Sequence, residues 1–144
     1  MFEKDGIANI TEVWDVKADS GSEWYKTMYD LGKSKISNFV VYMDGNELRY
    51  EDDWNVDASL SKKAYSYGIN RNYDGLELCF GKSDMKRHTF TLKYTLSNYI
   101  FNTSDSQVLY WTLLPKLNVD SFTVDITSYY SFPDTIDVWG YGYK

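Results

Sequence analysis

The chain has little of several things, and each shortage excludes a class of answer. There is one cysteine, Cys79, so no internal disulfide can form. There is one histidine, His88, so no histidine cluster can bind a metal. Only two prolines occur, Pro115 and Pro133, which rules out collagen-like and Pro-rich linker sequence. No stretch approaches the roughly 18 consecutive apolar residues of a membrane-crossing helix. Basic side chains are in the minority, 15 against 21 acidic, for a net charge of -6. A nucleic-acid partner is not expected, because a phosphate backbone needs a positive face. Leu and Ala, the better helix formers, are sparse. No βαβ rhythm, internal repeat or low-complexity segment appears.

What is abundant is aromatic. Five Trp, 14 Tyr and seven Phe make 18% of 144 residues. Rings and β-branched side chains suit a pleated, half-buried surface. A chain this long buries roughly 70% of the surface it exposes when unfolded, enough for a real core. With 43% hydrophobic and 25% charged residues, the composition is that of a folded domain.

The strands follow from a period of two. After Asp5-Gly6, Ile10, Trp14 and Val16 share one face, and Glu12 breaks it. Residues 23–35 carry helical spacing (Trp24, Met28, Leu31; Tyr25, Tyr29) and read as a loop with one or two helical turns. Ile36 to Met43 is a strand, and Asp44-Gly45 is a hairpin turn into Asn46 to Glu51. Residues 52–62 form a polar, acidic loop holding Trp54 and Val56. Ala64 to Ile69 is a further strand, Asn70 to Gly75 a turn, and Leu76, Leu78 and Phe80 face one way in the next strand. After the turn from Gly81 to Lys86, Phe90, Leu92, Tyr94 and Leu96 alternate with Thr89, Thr91, Lys93 and Thr95. Tyr99 and Phe101 continue or restart this strand. Val108 to Leu114 reads as a central strand covered on both faces. Phe122, Val124 and Ile126 alternate with Thr123, Asp125 and Thr127, and Ile136 to Tyr143 is a last strand. The expectation is an all-β antiparallel sandwich of about eight or nine strands, immunoglobulin-like or jelly-roll-like, as one domain over residues 1–144.

Few residues suggest chemistry. His88 is a candidate general base, but no Ser or Cys motif pairs with it, and a half-covered histidine at a strand mouth is the simpler reading. Cys79 reads as a plain strand thiol. Glu51, Asp52, Asp53 and Asp57 read as a solvated acidic loop, since no calcium-loop motif is present. No catalytic, metal-binding or cofactor-binding set is expected. Glu12 is the most informative charge. Strict alternation points it inward, where a carboxylate needs a partner such as Lys26, Arg49 or Lys63; the alternative is a bulge or wet strand end. Trp24, Trp54 and Tyr73 fall in segments read as loops, where exposed rings can stack on sugars, although loop aromatics commonly fold down over sandwich ends. The sequons Asn9-Ile10-Thr11 and Asn102-Thr103-Ser104 are too short to argue from.

The order of these segments resembles a family of uncharacterised bacterial proteins, the YciQ-like predicted membrane proteins. The features that carry the resemblance run from Ile10-Thr11-Glu12-Val13-Trp14-Asp15-Val16 through Trp24-Tyr25-Lys26 to Ile36-Ser37-Asn38-Phe39-Val40-Val41 and Asp44-Gly45. They continue in Trp54 to Ile69, with Lys62, Lys63 and Tyr67-Gly68-Ile69, and in Thr89-Phe90-Thr91-Leu92-Lys93-Tyr94. Asp105, Val108, Tyr110-Trp111, Val124, Ile126 and Pro133 close the set. The resemblance implies a β-domain on the extracytoplasmic face of the membrane, followed by transmembrane helices. On that footing the chain is expected to be an excised part of a longer membrane-anchored protein, touching the membrane only through segments outside it. Its expected role is non-catalytic, binding an unknown protein or glycan at the cell envelope. A carbohydrate-binding module built on Trp24, Trp54 and Tyr73 is the alternative.

Overall fold

The structure is a computed structural model that describes residues 6–29, 31–109, 119–129, 131–132 and 134–138. The longest pairing joins β1 (Ala8–Lys17) to β8 (Arg87–Ser97), antiparallel and without a break from Ala8↔Leu96 to Lys17↔Arg87. On the other side of β8 lies β3 (Lys35–Met43), and β4 (Asn46–Glu47) folds back on β3. Asp44 and Gly45 both take positive φ, 51° and 84°, as a two-residue hairpin turn demands.

The second sheet has the order β2 (Glu23–Tyr29), β7 (Gly75–Gly81), β6 (Ser66–Asn72), β5 (Arg49–Glu51). The chain changes sheet at Leu48, which is buried between β4 and β5. A four-residue helix, α1 (Leu60–Lys63), leads into β6. β9 (Ile100–Asn102) and β10 (Gln107–Leu109) form a separate two-stranded ribbon.

The inward residues of both sheets meet in two adjoining clusters. One gathers Ile10, Met28, Leu76, Leu78, Tyr94 and Leu96; the other gathers Val41, Met43, Tyr67, Phe80, Phe90 and Leu92. Phe80 of one sheet and Phe90 of the other meet with ring centroids 4.9 Å apart. Each such fully buried Leu or Phe stabilises the fold by roughly 1.5–3 kcal/mol.

The all-β sandwich is therefore the architecture present, with corrections in detail. Residues 23–29 are strand rather than loop: Trp24 and Met28 are four apart, a spacing shared by a helical turn and by one face of a strand, and the aromatic composition favours the strand. The second sheet is mixed, because β5 runs parallel to β6. Within the expected central strand from Val108, only Val108 and Leu109 are described as strand, and they pair with β9 alone. Phe122, Val124 and Ile126 alternate as a strand should, but residues 121–127 are irregular and exposed. Ile136 to Val138 is likewise exposed and not strand; the rest of that expected element lies outside the described residues.

Candidate functional site

Glu12 on β1 and Lys26 on β2 both point into the interior, one from each sheet. Glu12 pairs with Leu92 across its ladder and Lys26 with Leu78, which places both charges where the two apolar clusters adjoin. Lys26 Nζ lies 2.8 Å from Glu12 Oε1, with side chains only 3% and 11% exposed. Trp14 Nε1 donates to Glu12 Oε2 at 2.9 Å, and the Tyr94 hydroxyl donates to Oε1 at 2.5 Å. Burial, and then the neighbouring Glu12 carboxylate, push the Tyr94 and Tyr99 phenols up from their ordinary value. A buried pair of this kind adds little net stability, because desolvation offsets attraction. Its position suggests the use. β1 and β2 are edge strands, and an inward charge on an edge strand resists edge-to-edge association.

A second buried pair, absent from the sequence reading, fastens residues 52–64 over the outer face of the second sheet. Lys63 Nζ lies 2.7 Å from Glu23 Oε2 and donates to Ser22 Oγ (3.1 Å) and the Val56 carbonyl (2.5 Å). Trp54 Nε1 donates to the same Glu23 oxygen at 2.8 Å. Two glycines make the cover possible. A Cβ on Gly68 would sit 2.9 Å from the Trp54 ring, and one on Gly81 would sit 1.8 Å from the Lys63 carbonyl oxygen. Part of the signal was available, since Gly68 falls inside an expected strand and such a glycine often marks a close backbone approach, whereas Gly81 reads as the start of a turn. Nearby, Lys82 Nζ lies 4.3 Å from the centroid of Trp24 and donates to the Ser20 carbonyl at 2.5 Å. Burial lowers the Lys82 pKa.

The third cluster surrounds His88. Its Nδ1 lies 2.6 Å from Asp44 Oδ2, in the β3–β4 turn, and its Nε2 lies 2.9 Å from Asp84 Oδ1, in the β7–β8 turn. Hydrogen bonds to Asp44 and then Asp84 raise the His88 pKa. Asp44 is lowered first by the Thr89 N–H and then by His88; Asp84 first by the Lys86 N–H and then by His88. Ser83 Oγ stands 3.4 Å from Nε2, so Ser83, His88 and Asp44 have the outline of a nucleophilic triad. The chemistry differs: Asp84 Oδ1 lies 2.9 Å from the nitrogen that would take the serine proton, closer than Ser83 Oγ, so that nitrogen is engaged by a carboxylate rather than directed at the serine. The two carboxylates approach opposite ring nitrogens and do not converge with the ring on one ion. The cluster is an ionic staple between two turns, beside a groove of about 350 Å³.

The remaining candidates are dispersed. Trp24 lies on β2, not in a loop, and faces the core; Trp54 is buried on the opposite face of the same sheet; Tyr73 is fully exposed at the β6–β7 turn. The structure does not bring these three rings together. Cys79 is buried, and burial pushes its thiol up to about 12. Glu51 pairs with Arg49 at 2.5 Å, while Asp52, Asp53 and Asp57 are exposed. Among the described residues no group of three or more His, Cys, Asp or Glu side chains could hold a metal, and no helix is long and apolar enough to cross a membrane.

Comparison with known proteins adds one finding. No curated protein and no solved structure matches the chain. A family model does, over residues 2–144, described as the N-terminal domain of a predicted membrane protein, DUF2207. The sandwich that pairs β1 with β2 through Glu12 and Lys26 is thus a member of the DUF2207 family, an N-terminal domain of predicted membrane proteins of unknown function.

Proposed function

We propose that this domain is a non-catalytic interaction module displayed on the extracytoplasmic face of the bacterial membrane. The observation that carries the reading is how the reactive side chains are engaged. Glu12 is held by Lys26, Trp14 and Tyr94, Glu23 by Lys63 and Trp54, and His88 by two carboxylates. The Cys79 thiol is buried and stays protonated. What faces outward is contact surface: a row of Thr11, Thr89, Thr91 and Thr95 around Val13 on the first sheet, and exposed Tyr25 and Tyr29 on the second. Tyrosines in such positions suit protein contacts, since each offers apolar area and a polar tip. A protein partner fits better than a glycan, because Trp24 and Trp54 occupy opposite faces of one sheet and make no shared stacking platform.

Sidedness is the decisive element of this proposal, and Cys79 makes it measurable. Tyr73→Cys places a thiol at a fully exposed turn while the native thiol is buried. In the full-length protein in intact cells, a membrane-impermeant maleimide should label the variant and leave the parent unlabelled. Labelling only after permeabilisation would place the domain in the cytoplasm and overturn the reading.

A further inference from the structure

The described sandwich has an open corner. β4 covers β3 only at Tyr42 and Met43, so the stretch from Lys35 to Val40 has no strand beside it there among the described residues. β5 covers β6 only from Ser66 to Gly68, which leaves Ile69 to Asn72 without a strand on that side among the described residues. Between these two edges runs a groove of about 370 Å³ lined by Ile36, Phe39, Tyr50, Tyr67 and Ile69. Its floor is aromatic, with Phe39 edge-on to Tyr67 at 5.2 Å and Tyr50 tilted against Tyr67 at 5.3 Å. An uncovered edge beside an apolar groove is a template for one more strand.

The same chain carries a segment of matching form. Phe122, Val124 and Ile126 are 58%, 39% and 49% exposed and alternate with Thr123, Asp125 and Thr127. That is a five-residue irregular segment with the alternation of an amphipathic strand and its apolar side chains uncovered, about the length of either open edge. Distance is no obstacle. Leu109 packs on the cluster that Ile36 and Ile69 also touch, and the twelve residues between Leu109 and Phe122 can span up to roughly 3.3–3.6 Å each, so chain length does not forbid the approach.

We infer that Phe122–Ile126 docks in cis as an added strand against Ile69–Asn72 of β6, with Phe122, Val124 and Ile126 filling the groove. β6 is the pairing edge because β3 is bulged between Ser37 and Val40, with Asn38 at φ 54°, and a bulge turns an edge away from pairing. The docked strand extends the second sheet beyond the end of β5, and Thr123, Asp125 and Thr127 face water.

Hydrogen exchange on the full-length protein tests this. Docking slows exchange at residues 121–127 and at the outward amides of Ile69–Asn72 by at least about tenfold relative to free chain. Val124→Asp returns both segments to fast exchange together, and Phe122→Ser does the same. Val138→Asp, at another exposed apolar position, changes neither. Free-chain exchange at 121–127, or variants that leave Ile69–Asn72 unchanged, would overturn the assignment. Protection that disappears on dilution along with a dimer would assign the groove to a second copy and overturn docking in cis.

Discussion

Replacing Gly81 by alanine is a small change with a large expected effect. The new Cβ would lie 1.8 Å from the Lys63 carbonyl oxygen, 2.5 Å from its carbonyl carbon and 3.0 Å from its Cβ. Carbon and oxygen need at least about 3 Å, so one backbone must give way by more than an ångström. Lys63 has little freedom to move. Its carbonyl accepts from Ser66 Oγ at 2.7 Å, and its ammonium is committed to Glu23, Ser22 and Val56. Overpacking alone costs about 1–3 kcal/mol. Separating a buried ion pair costs about 3–5 kcal/mol, because Glu23 would remain buried with only Trp54. The expected loss is about 3 kcal/mol or more, and a drop in Tm of roughly 10 °C for a chain of this size. Gly45→Ala is the control. Nothing lies within 4 Å of its Cβ position, and only its positive φ is penalised, at about 1–2 kcal/mol. Urea denaturation followed by tryptophan fluorescence compares the two. Gly81→Ala within about 1 kcal/mol of the parent would refute the claim that residues 52–64 are clamped onto this sheet.

Other consequences follow from the same contacts. The His88 staple gives a pH dependence with a definite sign. His88 has a raised pKa, so its contribution is complete below the ordinary histidine value near 6.5 and is lost as pH climbs through the raised one. The lowered carboxylates of Asp44 and Asp84 contribute above their ordinary value near 3.8 and lose that contribution as pH falls through the lowered ones. Stability measured by urea titration should therefore decline on the alkaline side, and His88→Asn should flatten that limb; an unchanged limb would contradict the staple. The Cys79 thiol should stay unreactive towards Ellman's reagent at pH 8 in the folded protein and react on unfolding; prompt reaction in the native state would show that the cover over Gly68 and Cys79 opens.

Much of the framework was legible because one face of each central strand is apolar. Phe90, Leu92, Tyr94 and Leu96 against the polar residues between them define β8 without a structure, and Asp44-Gly45 marks the β3–β4 turn. The inward direction of Glu12 follows from its parity with Ile10 and Trp14, and Lys26 was one of three partners that a buried carboxylate could use. Other features were hidden for physical reasons. β2 was ambiguous because residues four apart share a face in both helix and strand, and because its central inward residue is a lysine. The role of Lys63 depends on a close approach to Gly81 that no local pattern encodes. His88 meets Asp44 and Asp84 only because two turns, one in each half of the fold, come to the same end of the sandwich. Alternation at Phe122, Val124 and Ile126 gave a strand pattern, yet a strand also needs a neighbour, and sequence periodicity does not say whether one is in place.

The claim at the centre of this account is that Glu12 and Lys26 meet inside the sandwich and join two of its edge strands, β1 and β2. A double-mutant cycle with Glu12→Leu and Lys26→Met, read by urea denaturation, tests it most directly. Lys26→Met should cost about 3 kcal/mol by leaving a buried carboxylate without its cation, and the double variant should recover most of that loss. A coupling energy near zero would mean that the two charges do not meet, and the description of the interior would be wrong.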